Sequence, residues 1–378
     1  MNRVKSILMY SFLTLLVLVA GFYITGYDYL FKGIRIVYFN GFNSSFVHDF
    51  LYFDRDTIQP SEHKVYALTY AEEQLTLPDT FLGVLEDLKT ASFLVIKDNK
   101  IIAERYFQGY KADTVTNSFS MAKTVVTLLT QMAIQKHLIS SWNTPAKSLL
   151  PEISGTFKNQ VTLFHLSAMC SGLDWDENYK NPFGVTAKAY YGDRTNEVCL
   201  NQPFNEEPGK KYIYQSGNTQ LLAIALERAT GKKISELAEE WLWKPLGMER
   251  SAYWHLDKAN GDNIAYCCLS ASSRDFARLG LLVLNHGKWA GEQLIDSAFL
   301  WRARQPFLAP QYGQSFWLAN DQYDEPVAYF RGHTGQYIIL LPESHVVIVR
   351  TGYKTLPQTD GMHHDDFHII VSTIKSLL

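Results

Sequence analysis

Hydrophobic and polar positions divide this chain into stretches of different kinds. The first runs from Ser6 to Tyr27 without a charged residue, behind Arg3 and Lys5. As a helix it would reach about 33 Å, enough to cross the hydrocarbon core of a bilayer. A cleaved signal peptide is the alternative, but the apolar part is long for one and no A-x-A-like site follows Ala20. An uncleaved anchor is the preferred reading. Arg3 and Lys5 favour the N-terminal end inside, although Lys32 and Arg35 weaken that preference. In that orientation the body lies outside the cytoplasm.

Residues 28–90 show little periodicity and read as a linker and wrapping segment. From Ala91 to Phe107 two β-rich runs flank Asp98-Asn99, the pattern of a hairpin. Thr124 to Gln135 carries no charge, and its apolar residues cover most of a helical circumference, as in a helix buried inside a domain. The stretch 162–207 is loop-rich and aromatic. Two helices follow, separated at Thr230-Gly231, where glycine is a natural stop. A further helix begins near Ser272, with Asp275 spaced for a capping box. Strand-like runs return in "SFWLAN", "VAYFRG" and "GQYIILLPESHVVIVRTGY", before a final helix in "DDFHIIVSTIKSLL". Strands near both ends with helices between predict an α/β (α+β) body. Its antiparallel sheet would be assembled from N- and C-terminal strands, with a mostly helical region inserted. The expected organisation is 1–27 as anchor or signal segment, 28–90 as linker and wrap, and 91–378 as one functional domain.

Composition changes this picture little. At 378 residues, with 47% hydrophobic and 19% charged, the chain is globular rather than disordered. A formal net charge of -3, with no basic patch interleaved with aromatics, gives no reason to expect nucleic acid. Aromatics at 14% suit a broad apolar cleft or a thick core equally. Cys170, Cys199, Cys267 and Cys268 either pair in an oxidising compartment or stay as buried thiols. The adjacent Cys267 and Cys268 are not expected to bridge each other. No Cys/His spacing suggests zinc, and no cofactor is expected.

The chemistry begins with Lys123. At the N-terminal end of an apolar helix, both desolvation and the positive end of the helix dipole penalise an ammonium. Ser120, three residues earlier, shares its helix face. A lysine of depressed pKa beside a serine hydroxyl can take its proton and make it a nucleophile. Tyr214, in "PGKKYIYQSGN", is a phenol placed to relay protons. In "RGHTGQYIILLP", small residues around His333 and Thr334 let a substrate lie against a strand edge, with a backbone N–H aimed at an oxyanion. Trp175, Tyr190 and Tyr191 read as cleft walls or core. Asp174, Asp176 and Glu177 read as a solvated acidic loop, and His363-His364-Asp365-Asp366 as helix capping rather than a metal site.

In this order, and with the phrases "HLSAMCSGLDWDE", "PGKKYIYQSGNTQLLAIALERATG", "PLGM" and "SSRDFARLGLLVLNHGKW", the three motifs resemble the serine β-lactamase and penicillin-binding family. The likeness is to its class C, DD-peptidase and esterase branch, and most to 6-aminohexanoate-oligomer hydrolases and related esterases. It covers the chain from about Ala91 onward. The resemblance implies a β-lactamase/transpeptidase-like fold and a serine hydrolase. Ser120 would be the acyl-forming nucleophile, and Lys123 and Tyr214 would share base and acid work. The backbone N–H groups of Ser120 and Gln336 would form the oxyanion hole. His333, Thr334, Gly335, Asn218 and Trp175 would meet a small-molecule or peptide substrate. Two departures stand out. The family's Tyr-x-Asn has Ser216 two after Tyr214, with Asn218 two further on. Its third motif begins with His333 where efficient β-lactamases carry lysine. A DD-peptidase or weak β-lactamase, and a non-hydrolytic sensor on the same fold, are the alternatives.

Overall fold

The computed structural model describes residues 2–62 and 68–378. Met1 of the expected anchor and residues 63–67 of the expected wrapping segment lie outside that description. Helix α1 (Asn2–Thr25) is the apolar run. It is long and apolar enough to cross a membrane, its apolar window is exposed, and only near its C-terminal end do Phe22 and Tyr23 meet the Phe31 ring. Helix α2 (Tyr29–Val37) turns onto the body and buries Tyr29, Ile36 and Val37.

The main sheet has seven strands among the described residues. In chain order they are β2 (Thr69–Tyr70), β3 (Thr90–Lys97), β4 (Lys100–Tyr106), β8 (Trp317–Leu318), β9 (Ala328–Gly332), β10 (Gln336–Leu341) and β11 (Val346–Gly352). Their spatial order is β8-β9-β10-β11-β3-β4-β2. All neighbours are antiparallel except β2 and β4, which run parallel. The expected hairpin is present, and Asp98 and Asn99 both take positive φ, the backbone that a tight two-residue turn between twisted strands requires. The sheet is covered on both faces, so its strands read as continuous apolar runs rather than alternating ones. Leu94, Ile96, Ile338, Leu340, Val347 and Val349 face the helical half of the molecule. Phe93, Val95, Tyr337, Ile339, Val346 and Ile348 face the helix Asp79–Asp87 and the C-terminal helix Asp365–Leu377.

The helical half holds α3 (Met121–Gln135), α4 (Ser216–Thr230) and α5 (Ser273–Leu284), which are buried along most of their lengths. Helix α4 ends at Gly231 with φ +71, and Ser272 caps α5 by accepting from the Asp275 amide. One feature was not expected: a second, four-stranded antiparallel sheet. It contains β1 (Arg55–Ile58), β6 (Ala252–His255), β7 (Leu269–Ser272) and β5 (Val115–Asn117), in that order. Residues around β1 are thus packed into the body, and Ile36, Phe46, Phe53 and Ile58 belong to its main core. Strand β5 runs directly into the residues before α3, so this small sheet aims the start of that helix.

Cys267 and Cys268 are disulfide-bonded to each other, which corrects the expectation that adjacent cysteines would not bridge. The backbone accommodates the small ring by placing Cys268 at φ +75. Cys170 and Cys199 are free thiols in the core.

Candidate active site

Ser120 occupies the cap position of α3 and is half-buried. Behind it, Phe119 sits at φ +46, a conformation an L-residue holds only when its surroundings enforce it. The Phe119 amide donates to Asn117 Oδ1 at 2.8 Å, and Asn117 Nδ2 donates to Asp49 Oδ1 at 2.8 Å. The Ser118 amide donates to Leu269 O at 3.0 Å. Asp49 also accepts from the Tyr190 hydroxyl at 2.6 Å. Burial raises its pKa to about 7, against the pull of those hydrogen bonds. Residues from three distant parts of the chain therefore hold the turn that presents Ser120.

Lys123 lies one turn further, 2% exposed. Its Nζ is 3.0 Å from Ser120 Oγ, 3.1 Å from Ser216 Oγ and 2.8 Å from the Tyr266 carbonyl. The rings of Tyr214 and Tyr266 stand 5.1 and 5.5 Å from it. Among the described residues no carboxylate touches the ammonium. Desolvation pulls its pKa down to about 8, and the charge of Glu177, beyond Ser216, pushes the other way. The Tyr214 hydroxyl hydrogen-bonds Ser120, and burial raises its pKa well above the usual phenol value. Tyr214 also packs against Trp317 and Tyr312, with Arg331 over the Trp317 ring at 4.4 Å. Sequence reasoning passed over that aromatic wall.

The turn between β9 and β10 closes the other side. His333 lies against Phe119 and Tyr179, at centroid distances of 5.6 and 5.8 Å. Gly332 is needed here: a Cβ would stand 2.1 Å from the Ser118 carbonyl oxygen, so any side chain would push the turn away from Ser120. Thr334 and Gly335 take φ +58 and +79, and buried Arg350 donates to both of their carbonyls. The Gln336 side chain bonds His333 O, Thr334 Oγ1 and Gly352 O, leaving its backbone at the start of β10. Desolvation and then His364 and Arg331 lower the pKa of His333, an effect tempered by the exposure of its ring to the cleft.

The structure brings Ser120, Lys123, Tyr214, His333 and Thr334 around one cleft, but two expected substrate contacts are corrected. Asn218 is fully buried, its amide spent on Ser171, Gln215 and Met169. Trp175 is 6% exposed and packs in the core, where its indole donates to Glu177. Tyr190 and Tyr191 pack against Phe53 of the N-terminal segment. His363 and His364 are engaged separately by Tyr329 and the Leu356 carbonyl. The acidic loop also departs from expectation, because Glu177 reaches the site and accepts from Ser216. A hollow of about 380 Å³ lined by Asp28, Lys32, Arg35 and Asp193 lies elsewhere, beside α2.

A cap serine, a buried lysine and a phenol thus share hydrogen bonds in the cleft of an α/β body, and the family this body belongs to is one of serine hydrolases. The Beta-lactamase family model matches residues 81–368, and the chain belongs to that family. It is 24% identical over 317 residues to the 6-aminohexanoate-dimer hydrolase of Paenarthrobacter ureafaciens, covering 78% of this chain and 80% of that one. A solved structure from Bacillus anthracis that provisionally carries the same name superposes with a TM-score of 0.75 at 22% identity, covering 88% and 91% of the two chains. The penicillin binding protein from Bacillus halodurans gives 0.61 at 16%, covering 79% and 100%. The fold expected from the motifs is therefore the fold present.

Proposed function

We propose that this serine hydrolase cleaves an ester or amide through an acyl-enzyme at Ser120, with Lys123 as the base. The observation that carries this reading is the buried Lys123 Nζ 3.0 Å from Ser120 Oγ, with no carboxylate holding its proton. An amine of pKa about 8 is neutral in a useful fraction near neutrality, whereas Tyr214 stays a phenol. Lys123 takes the Ser120 proton as Oγ bonds to the carbonyl carbon. The carbonyl oxygen becomes an oxyanion held by the N–H groups of Ser120 and Gln336, worth about 3 kcal/mol per donor. As the C–O or C–N bond breaks, Tyr214 donates its proton to the leaving alkoxide or amine and is reprotonated from Lys123. Water then repeats the sequence on the acyl group.

The substrate favoured is an ester or a linear amide rather than a β-lactam. The amide side chain that relatives offer to an acylamino group is absent here, because Asn218 is buried and Ser216 faces Lys123. His333, its pKa lowered, supplies no fixed charge for a carboxylate. The name of the Paenarthrobacter relative makes short amides of amino-alkanoic acids a first choice to assay. Helix α1 would anchor the domain on the outer side of a membrane, beside small or peptide substrates.

The test treats the full chain in detergent with a fluorophosphonate and with labelled penicillin, alongside Ser120→Ala and Lys123→Ala. An adduct at Ser120 that Ser120→Ala loses and Lys123→Ala forms far more slowly is expected. No Ser120-dependent adduct with either reagent would overturn the reading. Stable penicillin labelling with slow release would replace it with a DD-peptidase.

A further inference from the structure

Four hydrogen bonds converge on the carboxylate of Glu177. Oε2 accepts from the Ser216 backbone amide and from Trp175 Nε1, both at 2.7 Å. Oε1 accepts from Ser216 Oγ and from the Tyr179 hydroxyl, both at 2.5 Å. The amide and the indole are obligate donors, so Oε2 carries no proton. The group also sits at the N-terminus of α4, where the helix dipole favours an anion. An ionised carboxylate can only accept, and bonds as short as these mark charge-assisted donation to it. The one proton of the Ser216 hydroxyl therefore belongs to Glu177.

That assignment has a consequence at Lys123. With its proton committed, Ser216 Oγ offers only lone pairs to Nζ, 3.1 Å away. The Tyr266 carbonyl, at 2.8 Å, also can only accept. A neutral amine has two N–H bonds and one lone pair. Its two protons go to the two obligate acceptors, and the remaining direction is the one toward Ser120 Oγ at 3.0 Å. We infer that Glu177, which touches neither Ser120 nor Lys123, is a positioning residue that aims the lysine lone pair at the nucleophile by fixing the proton of Ser216. This rests on the roles proposed above for Ser120 and Lys123. Without the carboxylate, Ser216 is free to donate its proton to Nζ, and the lone pair turns away from Ser120.

Glu177 carries a second, separable effect. Around Nζ stand the hydroxyls of Ser120 and Ser216, the Tyr266 carbonyl and the rings of Tyr214 and Tyr266. The one charge that moves its titration is Glu177, which opposes the desolvation. Removing that charge makes the neutral amine available at lower pH. The two effects have opposite signs, since the base becomes easier to deprotonate but is less well aimed.

The experiment measures acylation of the full-length protein by a p-nitrophenyl ester across pH, for wild type, Glu177→Gln, Glu177→Asp, Ser216→Ala and Glu177→Gln/Ser216→Ala. The glutamine amide keeps the shape but donates to Ser216, reversing the proton. For Glu177→Gln the alkaline plateau is expected to fall roughly 10²-fold, as for a mis-aimed catalytic group. Its acid limb is expected to move to lower pH with KM little changed, and Glu177→Asp to recover part of the plateau. In the Ser216→Ala background, Glu177→Gln should cost nothing further. A plateau within twofold of wild type, an unmoved acid limb, or losses that simply add in the double variant would each overturn the inference. All three outcomes leave wild-type labelling at Ser120 intact, so they are distinct from failure of the proposed function, which shows as no labelling at all.

Discussion

Two cations are buried on either side of the cleft, and they are used in opposite ways. Lys123 and Arg350 are 2% and 0% exposed, and among the described residues neither makes a direct contact with a carboxylate. Burial lowers the pKa of both. Arg350 starts so high that it remains a cation. It spends itself on neutral oxygens: the carbonyls of Leu88, Thr334, Gly335 and Lys354, and Thr90 Oγ1. It is a brace for the turn that carries His333. Lys123 starts lower and is brought by the same desolvation to about 8, where its proton is exchangeable. One physical cost thus yields a rigid strut in one place and, in the proposed mechanism, a base in the other, and the intrinsic pKa decides which.

Exchanging the two chemistries is the strongest way to break this comparison. Lys123→Arg keeps the charge and most of the bulk, but a guanidinium does not release its proton. Acylation of Ser120 should fall by about 10³-fold or more, the scale of losing a general base, as measured by burst kinetics. A variant within tenfold of wild type would show that Lys123 acts only as a charge. Arg350→Lys should spare the chemistry far more than the fold. Several buried carbonyls lose donors, so stability should drop by about 3 kcal/mol, read by urea unfolding. A change below about 0.5 kcal/mol would mean that the turn holds itself. Between these stands the pH dependence of the wild type. In the proposed mechanism the neutral amine is the active form, so kcat/KM should rise with pH through about 8 and fall as acid protonates Lys123. A limb near the pKa of an ordinary lysine would place the base in a solvated pocket.

The same two sites show where sequence reading succeeds and where it stops. Lys123 was legible because its neighbours are local: an uncharged helix behind it and Ser120 three residues before it. Arg350 lies in an apolar strand, and its partners Leu88 and Thr90 are some 260 residues away in the chain. Glu177 was hidden for a related reason. Beside Asp174 and Asp176 it reads as one of three solvated acids, and only the approach of the N-terminus of α4 gives it a role. Asn218 was taken from the family's Tyr-x-Asn motif although it stands two residues beyond that motif's place. Two positions along a helix is a rotation of about 200°, so with Ser216 facing Lys123, Asn218 must face the core. The second sheet was missed because β1 pairs with β6 almost two hundred residues later, and no local periodicity reports that.

The smallest effect concerns a third basic group, at the mouth of the same cleft. His333 is exposed, unlike the two buried cations, and its pKa is lowered rather than raised, so it is neutral at working pH. It lies against Phe119 and Tyr179 without contributing a charge to the cleft. Replacing it by lysine places a permanent cation where solvent screens it, an interaction worth up to about 1 kcal/mol and so at most a few-fold in KM. His333→Lys should therefore lower KM about threefold for esters bearing a free carboxylate and leave their neutral counterparts unchanged. The preference should shrink as salt is added. Equal changes for both classes of ester would mean that the side chain acts by shape. No change at all would remove His333 from the substrate path and leave Phe119 and Tyr179 to form that wall.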